Sequence, residues 1–178
     1  MDERLQKQLD FALEIDKEKN IFRQTHLSGH GRNENDAEHA WHMAIMTLLL
    51  SEYANQKIDV LKTISMLLIH DLVEIDAGDT YAYDEEGKKT QAEREQKAAD
   101  RIYGMLPEDQ GKKLYDLWLE FEAQETPEAK FARTMDNIQP MYLNASTDGK
   151  AWQEHKVHLA QILGRNAHTA EGSEVLWN

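Results

Sequence analysis

The chain has 178 residues, no cysteine and a formal net charge of −13, with 40% apolar and 30% charged residues. That composition suits one soluble globular domain over residues 1–178, and it excludes a disulfide scaffold, a cysteine-ligated metal centre and a thiol nucleophile. The acidic balance argues against a binder of nucleic-acid polymers, which needs a basic face, and no run of about 18 apolar residues is present to span a membrane. Met1-Asp2-Glu3-Arg4 opens the chain without an apolar run behind it. No secretory signal is therefore expected, and the cytoplasm is the expected compartment. Three prolines and nine glycines point away from an all-β fold.

Leu5, Leu9, Ala12 and Leu13 recur at helical spacing and predict an amphipathic first helix. Residues 28–35 are polar, contain Gly29 and Gly31, and read as a loop. Asn35 with Glu38 forms a capping box that opens an apolar helix over about 36–54. Asp59 caps the next helix, which carries Val60, Leu61, Ile64, Leu67, Leu68, Leu72 and Ile75 and is apolar on nearly every side, so it is the expected central one. Ala77-Gly78-Asp79-Thr80 ends it. Residues 81–89, with Asp84-Glu85-Glu86, read as a mobile acidic loop. Thr90 with Glu93 opens a helix to about Leu106, stopped by Pro107. Leu114, Leu117, Trp118 and Phe121 mark another. Thr126-Pro127 caps a helix through Phe131, Met135 and Ile138 that Pro140 kinks or closes. A last helix is expected over about 152–163, and the tail after Gly164 is weakly patterned. The reading is a single-domain, all-α helical bundle.

Polar groups inside apolar helices need a partner, because an unpaired buried charge is costly. His39, the adjacent His70-Asp71 and Asp136 sit on three such helices. An isolated His–Asp pair is as well explained by a satisfied structural contact. Four such groups converging would offer two nitrogens and two oxygens, which suits one divalent transition metal (Mn, Co, Fe or Zn) better than Mg²⁺ or Ca²⁺. Glu74 lies one helical turn beyond His70-Asp71, on the same face.

The pattern His…His-Asp…Asp resembles the HD-domain phosphohydrolases. Glu34-Asn35-Asp36-Ala37-Glu38-His39-Ala40-Trp41-His42 is similar to the first-histidine segment of the HD-domain 5′-deoxynucleotidases. The segment from Leu68 to Asp79, with His70-Asp71, Glu74 and Gly78-Asp79, is similar to their His-Asp segment, and Thr126-Pro127-Glu128-Ala129-Lys130 to the approach to their distal Asp. The matching stretch runs over about 23–136. The resemblance implies His39, His70, Asp71 and Asp136 as metal ligands, Glu74 as the residue acting on the attacking water, Asp79 as a contact to the sugar or leaving-group side, and Arg23 as the phosphate holder. Arg32, in the Gly-containing loop, is the alternative phosphate residue. Gln24 follows Arg23 where the similar nucleotidases carry a Trp.

The expected activity is hydrolysis of a small-molecule phosphomonoester, a (deoxy)nucleoside 5′-monophosphate first, with no nucleic-acid polymer and no membrane as partner. The competing readings are a di-iron oxygenase on the same scaffold, which needs further His ligands, and a non-catalytic nucleotide-binding module, which needs no water-orienting Glu74. His42, three residues past His39, is a lesser candidate for the metal shell. Trp41, Trp118 and Trp152 are spaced as core or interface aromatics. The resemblance also implies a homodimer, for which Trp118, Phe121 and Trp152 could supply the surface if they are not core.

Overall fold

Side-chain caps set the helix starts in the computed structural model, which describes residues 2–178. Asp2 caps α1 (Glu3–Glu14). The Asn35 carboxamide accepts from the Glu38 amide at 2.9 Å and the Glu38 carboxylate accepts from the Asn35 amide at 3.1 Å, closing the expected capping box of α2 (Asp36–Leu50). Asp59 caps α3 (Val60–Ile69) and Thr126 caps α7 (Pro127–Ser146). Between them lie α4 (Glu74–Ala77), α5 (Glu85–Gly104) and α6 (Glu108–Ala123). The last four helices are short: α8 (Lys150–Glu154), α9 (Leu159–Arg165), α10 (Thr169–Gly172) and α11 (Glu174–Trp177).

Two apolar clusters hold these elements together. Met43, Met66, Leu67, Phe121, Phe131 and Met135 join α2, α3, α6 and α7. Phe11, Leu72, Val73, Ile102, Tyr103 and Trp118 join α1, α5 and α6 to the segment after α3. Trp118 is 4% and Phe121 1% exposed, so both are core and neither can supply a dimer surface. Trp41 is 64% exposed on α2.

The structure departs from the sequence reading at several places. Residues taken for a loop pair as a two-stranded antiparallel hairpin, β1 (Phe22–His26) with β2 (Asn33–Asn35), Phe22 opposite Asn35 and His26 opposite Asn33. The central helix is not continuous. The Tyr103 hydroxyl donates to the Ile69 carbonyl at 2.8 Å, and the chain tightens there into a 3₁₀ turn, His70–Val73, before resuming as α4. A side chain that takes a ladder carbonyl is a common cause of such a break. Asp84, not Thr90, caps α5, so most of the expected mobile loop is its first turn. Helix α6 begins directly after Pro107 rather than near Leu114. Pro140 does not close α7, which runs on to Ser146.

The expected helix over 152–163 is broken into α8 and α9, with Lys156 at φ 54° between them. The weakly patterned tail is helical and docked. The Thr134 hydroxyl donates to the Thr169 carbonyl at 2.8 Å and the Asn137 amide to the Thr169 hydroxyl at 3.0 Å. Gly172 lies so close to α7 that a Cβ would collide with Thr134 and the Lys130 carbonyl.

Candidate metal centre and cavity

Three elements converge beneath one cavity of about 190 Å³: α2 brings His39, the 3₁₀ turn brings His70 and Asp71, and α7 brings Asp136. One ligand atom each from His39, His70 and Asp136 lies within 4.8 Å of the others. His39 Nε2 is 3.1 Å and His70 Nε2 3.8 Å from Asp136 Oδ1, and His70 Nε2 is 3.0 Å from Asp71 Oδ1. Pro140 has no N–H to give to the Asp136 carbonyl four residues back, so α7 is locally loosened where it carries this carboxylate. The other Asp136 oxygen accepts from Arg133 Nη1 at 2.9 Å, and the Arg133 guanidinium lies 4.5 Å over the Phe121 ring.

Hydrogen bonds settle which imidazole atoms face inward. His70 Nδ1 is 3.0 Å from the Leu67 carbonyl, which can only accept, so Nδ1 carries the proton. Its Nε2 is buried without a hydrogen-bond partner. His39 Nδ1 is 2.8 Å from Gln139 Oε1. In the neutral rings both Nε2 atoms therefore present lone pairs toward carboxylate oxygens, an arrangement that a cation between them satisfies. The same field acts on protons. Burial opposes charge on His70, yet Asp71 and Asp136 outweigh it and push the ring up to about 10. His39 is raised against burial by Asp136 and Glu34. Despite burial, the two imidazoles hold Asp136 well below the usual carboxylate range, and His70 with Arg23 does the same for Asp71. The donor set of two imidazoles and two carboxylates fits a divalent transition metal.

A second group of acids adjoins the first. Asp36, Asp71 and Glu74 each place an oxygen within 4.8 Å of the others. Arg23 Nη1 spans this group, donating to Asp36 Oδ1 at 3.1 Å and Asp71 Oδ2 at 2.9 Å. Burial, then the neighbouring Asp71 and Asp36 charges, raise Glu74 well above the ordinary glutamate value. Burial and Asp71 push Asp36 up to about 6 against the pull of Arg23. Glu74 Oε2 and Asp36 Oδ2 are buried and unpartnered. Asp79 follows Gly78, whose φ of 75° makes the turn. Arg94 of α5 holds that turn by donating to the Ala77 carbonyl and, at 2.7 Å, to the Thr80 hydroxyl. Burial raises Asp79 while Arg23 lowers it.

Arg23, His70, Asp71, Glu74, Asp79 and Asp136 all line the cavity, and fully buried His39 lies beneath its floor. Arg32 does not reach it; it pairs with Glu38 on the surface. Tyr81, Tyr83 and Trp152 of α8 also line the cavity. The segments are tied together at the rim, where His155 Nε2 meets Gln24 Oε1 at 3.0 Å and its ring lies 4.5 Å from Tyr81. His42 contacts no ligand; its Nδ1 is 3.0 Å from Gln139 Nε2. Sequence reasoning missed Asp36, Glu34, Gln139 and Arg133. Asp36 and Glu34 flank a capping residue and read as surface acid. Gln139 and Arg133 lie three residues either side of Asp136, a spacing that could have placed them on its face.

The HD domain family model matches residues 15–177. The human protein 5′-deoxynucleotidase HDDC2 is 34% identical over 115 residues, 65% of this chain and 54% of that protein, so the chain spans about half its length. The zebrafish (Danio rerio) protein of the same name is 30% identical over 161 residues, 79% of this chain and 78% of that one. A crystal structure described as a predicted metal-dependent phosphohydrolase, from Magnetospirillum magnetotacticum MS-1, is 47% identical with a TM-score of 0.93, covering 97% of this chain and 87% of its own.

Proposed function

The chain belongs to the HD domain family, and from that premise we propose that it is a metal-dependent phosphohydrolase that cleaves a (deoxy)nucleoside 5′-monophosphate to nucleoside and phosphate. One observation carries the reading: His70 Nε2, buried and unpartnered, faces Asp71 and Asp136 beside His39 under an open cavity. His39, His70, Asp71 and Asp136 would hold one divalent ion of Mn, Co, Fe or Zn. Bound there, such an ion supplies Lewis acidity toward both the phosphoryl group and water.

The chain's own groups do the rest. Arg23 spends only Nη1 on Asp36 and Asp71, and its other donors make no hydrogen bond to the described residues. Those donors suit phosphoryl oxygens, which a guanidinium can bind in a bidentate manner. Glu74 takes the proton from the attacking water in this reading, which its position lining the cavity beside His70 and Asp71 supports. Its neighbours favour the protonated form, so once ionised it is a stronger base than an ordinary glutamate. Asp79, on the turn held by Arg94, accepts a hydrogen bond from the sugar. A monophosphate presents a terminal dianion that reaches the floor of a pocket, whereas a polymer phosphate is a diester within a chain and does not enter. Among the described residues no helix is long and apolar enough to cross a membrane.

The homodimer belongs to this reading with a different face from the one the sequence suggested. Trp41, Ile45, Leu48 and Leu49 on α2 and Leu61 and Leu68 on α3 are exposed together. Residues 41–50 carry no Asp, Glu, Lys or Arg. In a chain of net charge −13, an uncharged apolar face is where a second copy meets least repulsion, in a closed two-fold contact. Phosphate release over a panel of nucleoside monophosphates, non-nucleotide monophosphates and DNA and RNA strands tests the function. Turnover of monophosphates and none of strands is expected; a panel with no turnover under any of the four metals would sink the reading.

A further inference from the structure

Beneath the cavity floor, on the side of His39 away from Asp136, lies a polar chain, buried at Glu34 and Gln139 and half-buried at His42, that the mechanism does not use. Glu34 is buried in β2, just before α2, and Gln139 is buried on α7. Gln139 Nε2 donates to Glu34 Oε1 at 2.6 Å, and the same nitrogen is 3.0 Å from His42 Nδ1. Gln139 Oε1 faces His39 Nδ1 at 2.8 Å. A carboxamide nitrogen has two N–H groups and no lone pair to offer, and a carboxylate only accepts. The three contacts therefore close in one way. One Gln139 N–H goes to Glu34, the other to His42, and the amide oxygen is left for His39.

We propose that Glu34 and His42 form an orientation lock: they fix the Gln139 amide, which fixes the proton of His39 on Nδ1 and so keeps Nε2 free to bind a metal ion. A glutamine amide is nearly symmetric in shape, and without its two acceptors it can turn over at little steric cost. Turned over, it would present N–H to His39 Nδ1. That drives the ring toward the form with its proton on Nε2, where a metal must bind, and leaves only Glu34 Oε2, at 3.6 Å, to favour a proton on Nδ1. His42 acts through Gln139, while Glu34 acts through Gln139 and also faces His39 Nδ1 directly with Oε2 at 3.6 Å; both are positioning residues. His42, which the sequence offered as a ligand, has its role here. The proposal rests on the reading of His39 as a ligand. Partners of this kind, behind a ligating histidine, are typically worth about 10–100-fold in metal affinity.

The test uses the full chain, stripped of metal and titrated with Zn²⁺ against a competing chelator, with ¹H–¹⁵N spectra of the zinc-loaded protein reporting the His39 Nδ1 proton. Glu34→Met and Gln139→Met are expected to weaken Zn²⁺ binding by about 10–100-fold and to lose the slow exchange of that proton. Glu34→Gln keeps an acceptor for Gln139 and is expected to restore both readouts. His42→Phe removes one of the two acceptors and is expected to lower both in part; it keeps the test alive if Glu34→Met fails to fold. Wild-type Zn²⁺ affinity and a protected Nδ1 proton in Glu34→Met, or no change in either readout in His42→Phe, would overturn the lock. A wild-type chain with no affinity for Zn²⁺ would overturn the metal reading itself, an outcome separate from equal affinities in wild type and variants.

Discussion

The floor of the cavity and its far wall are built on different physics. The floor hangs on α2, α7 and the 3₁₀ turn that follows α3, and the apolar faces of these three helices, 10 to 20 residues long, interlock. Each proposed ligand on it is held by a neighbour, His39 by Gln139, His70 by the Leu67 carbonyl, Asp71 by Arg23 and Asp136 by Arg133. The wall is made of the 79–83 segment, α8 and the end of α9, and α10 and α11, which do not line the cavity, continue the same run of helices of four to seven residues. Helices that short are not stable alone. They stand because polar pins dock them: His26 to Glu154 at 2.7 Å, His155 to Gln24 at 3.0 Å, and Arg165 to Asn137 at 2.9 Å. The floor can therefore position atoms, while the wall shapes what enters.

The largest effect should come from the floor. His70→Ala removes the unpartnered Nε2 and leaves Asp71 and Asp136 facing each other; it should lose bound metal and turnover together, read by elemental analysis and phosphate release. Full metal content in the purified variant would break the assignment. Glu74→Ala should separate the floor's two tasks, keeping the ion and losing rate by about 10²–10⁴-fold. A variant turning over at the wild-type rate would remove Glu74 from the mechanism.

Asp79 stands where floor meets wall. Losing a hydrogen bond to a charged group costs about 1.5–3 kcal/mol, or roughly ten- to a hundredfold. Asp79→Asn should shift the ratio of deoxyribo- to ribonucleotide turnover by up to that factor, and an unchanged ratio would take Asp79 out of sugar reading.

Much of the floor is legible in the sequence because it obeys a period. Asn35 with Glu38, Asp59 and Thr126 announce three helix starts, and His39, His70 and Asp136 stand out as polar groups in apolar runs. The wall is not legible, because what docks it is not apolar. Thr134, Asn137, Thr169 and Gly172 join α10 to α7 through hydroxyl, amide and close approach, none of which leaves a hydrophobic pattern. The 3₁₀ turn at His70 was hidden for another reason: its cause is Tyr103, 34 residues away. The β1–β2 hairpin was missed because β2 has three residues, Asn33, Glu34 and Asn35, all with low strand propensity.

Two smaller tests sharpen the contrast through stability. Gly172→Ala forces a methyl against Thr134 and the Lys130 carbonyl, and overpacking of this kind costs about 1–3 kcal/mol. Its melting temperature should fall while the metal stays bound; loss of metal in parallel would mean that the wall supports the floor more than the account allows. Glu18 lies buried near the acid group, and burial with the Asp71 and Asp36 charges pushes it up to about 8. The folded chain then binds a proton that the unfolded chain has released, so stability should fall as pH rises from about 4.5 to 8. Glu18→Gln should flatten that slope in the metal-free chain, measured by thermal unfolding across the range; a slope equal to wild type would exclude Glu18 as its source.

The most direct test of the central claim is phosphate release from deoxynucleoside 5′-monophosphates by one preparation before chelation, after chelation, and after refilling with Mn, Co, Fe or Zn. Release should stop on chelation and return with at least one of these ions, at about one ion per chain, the number the ligand set would hold. Release that continues at full rate in protein shown to be free of metal would contradict that claim.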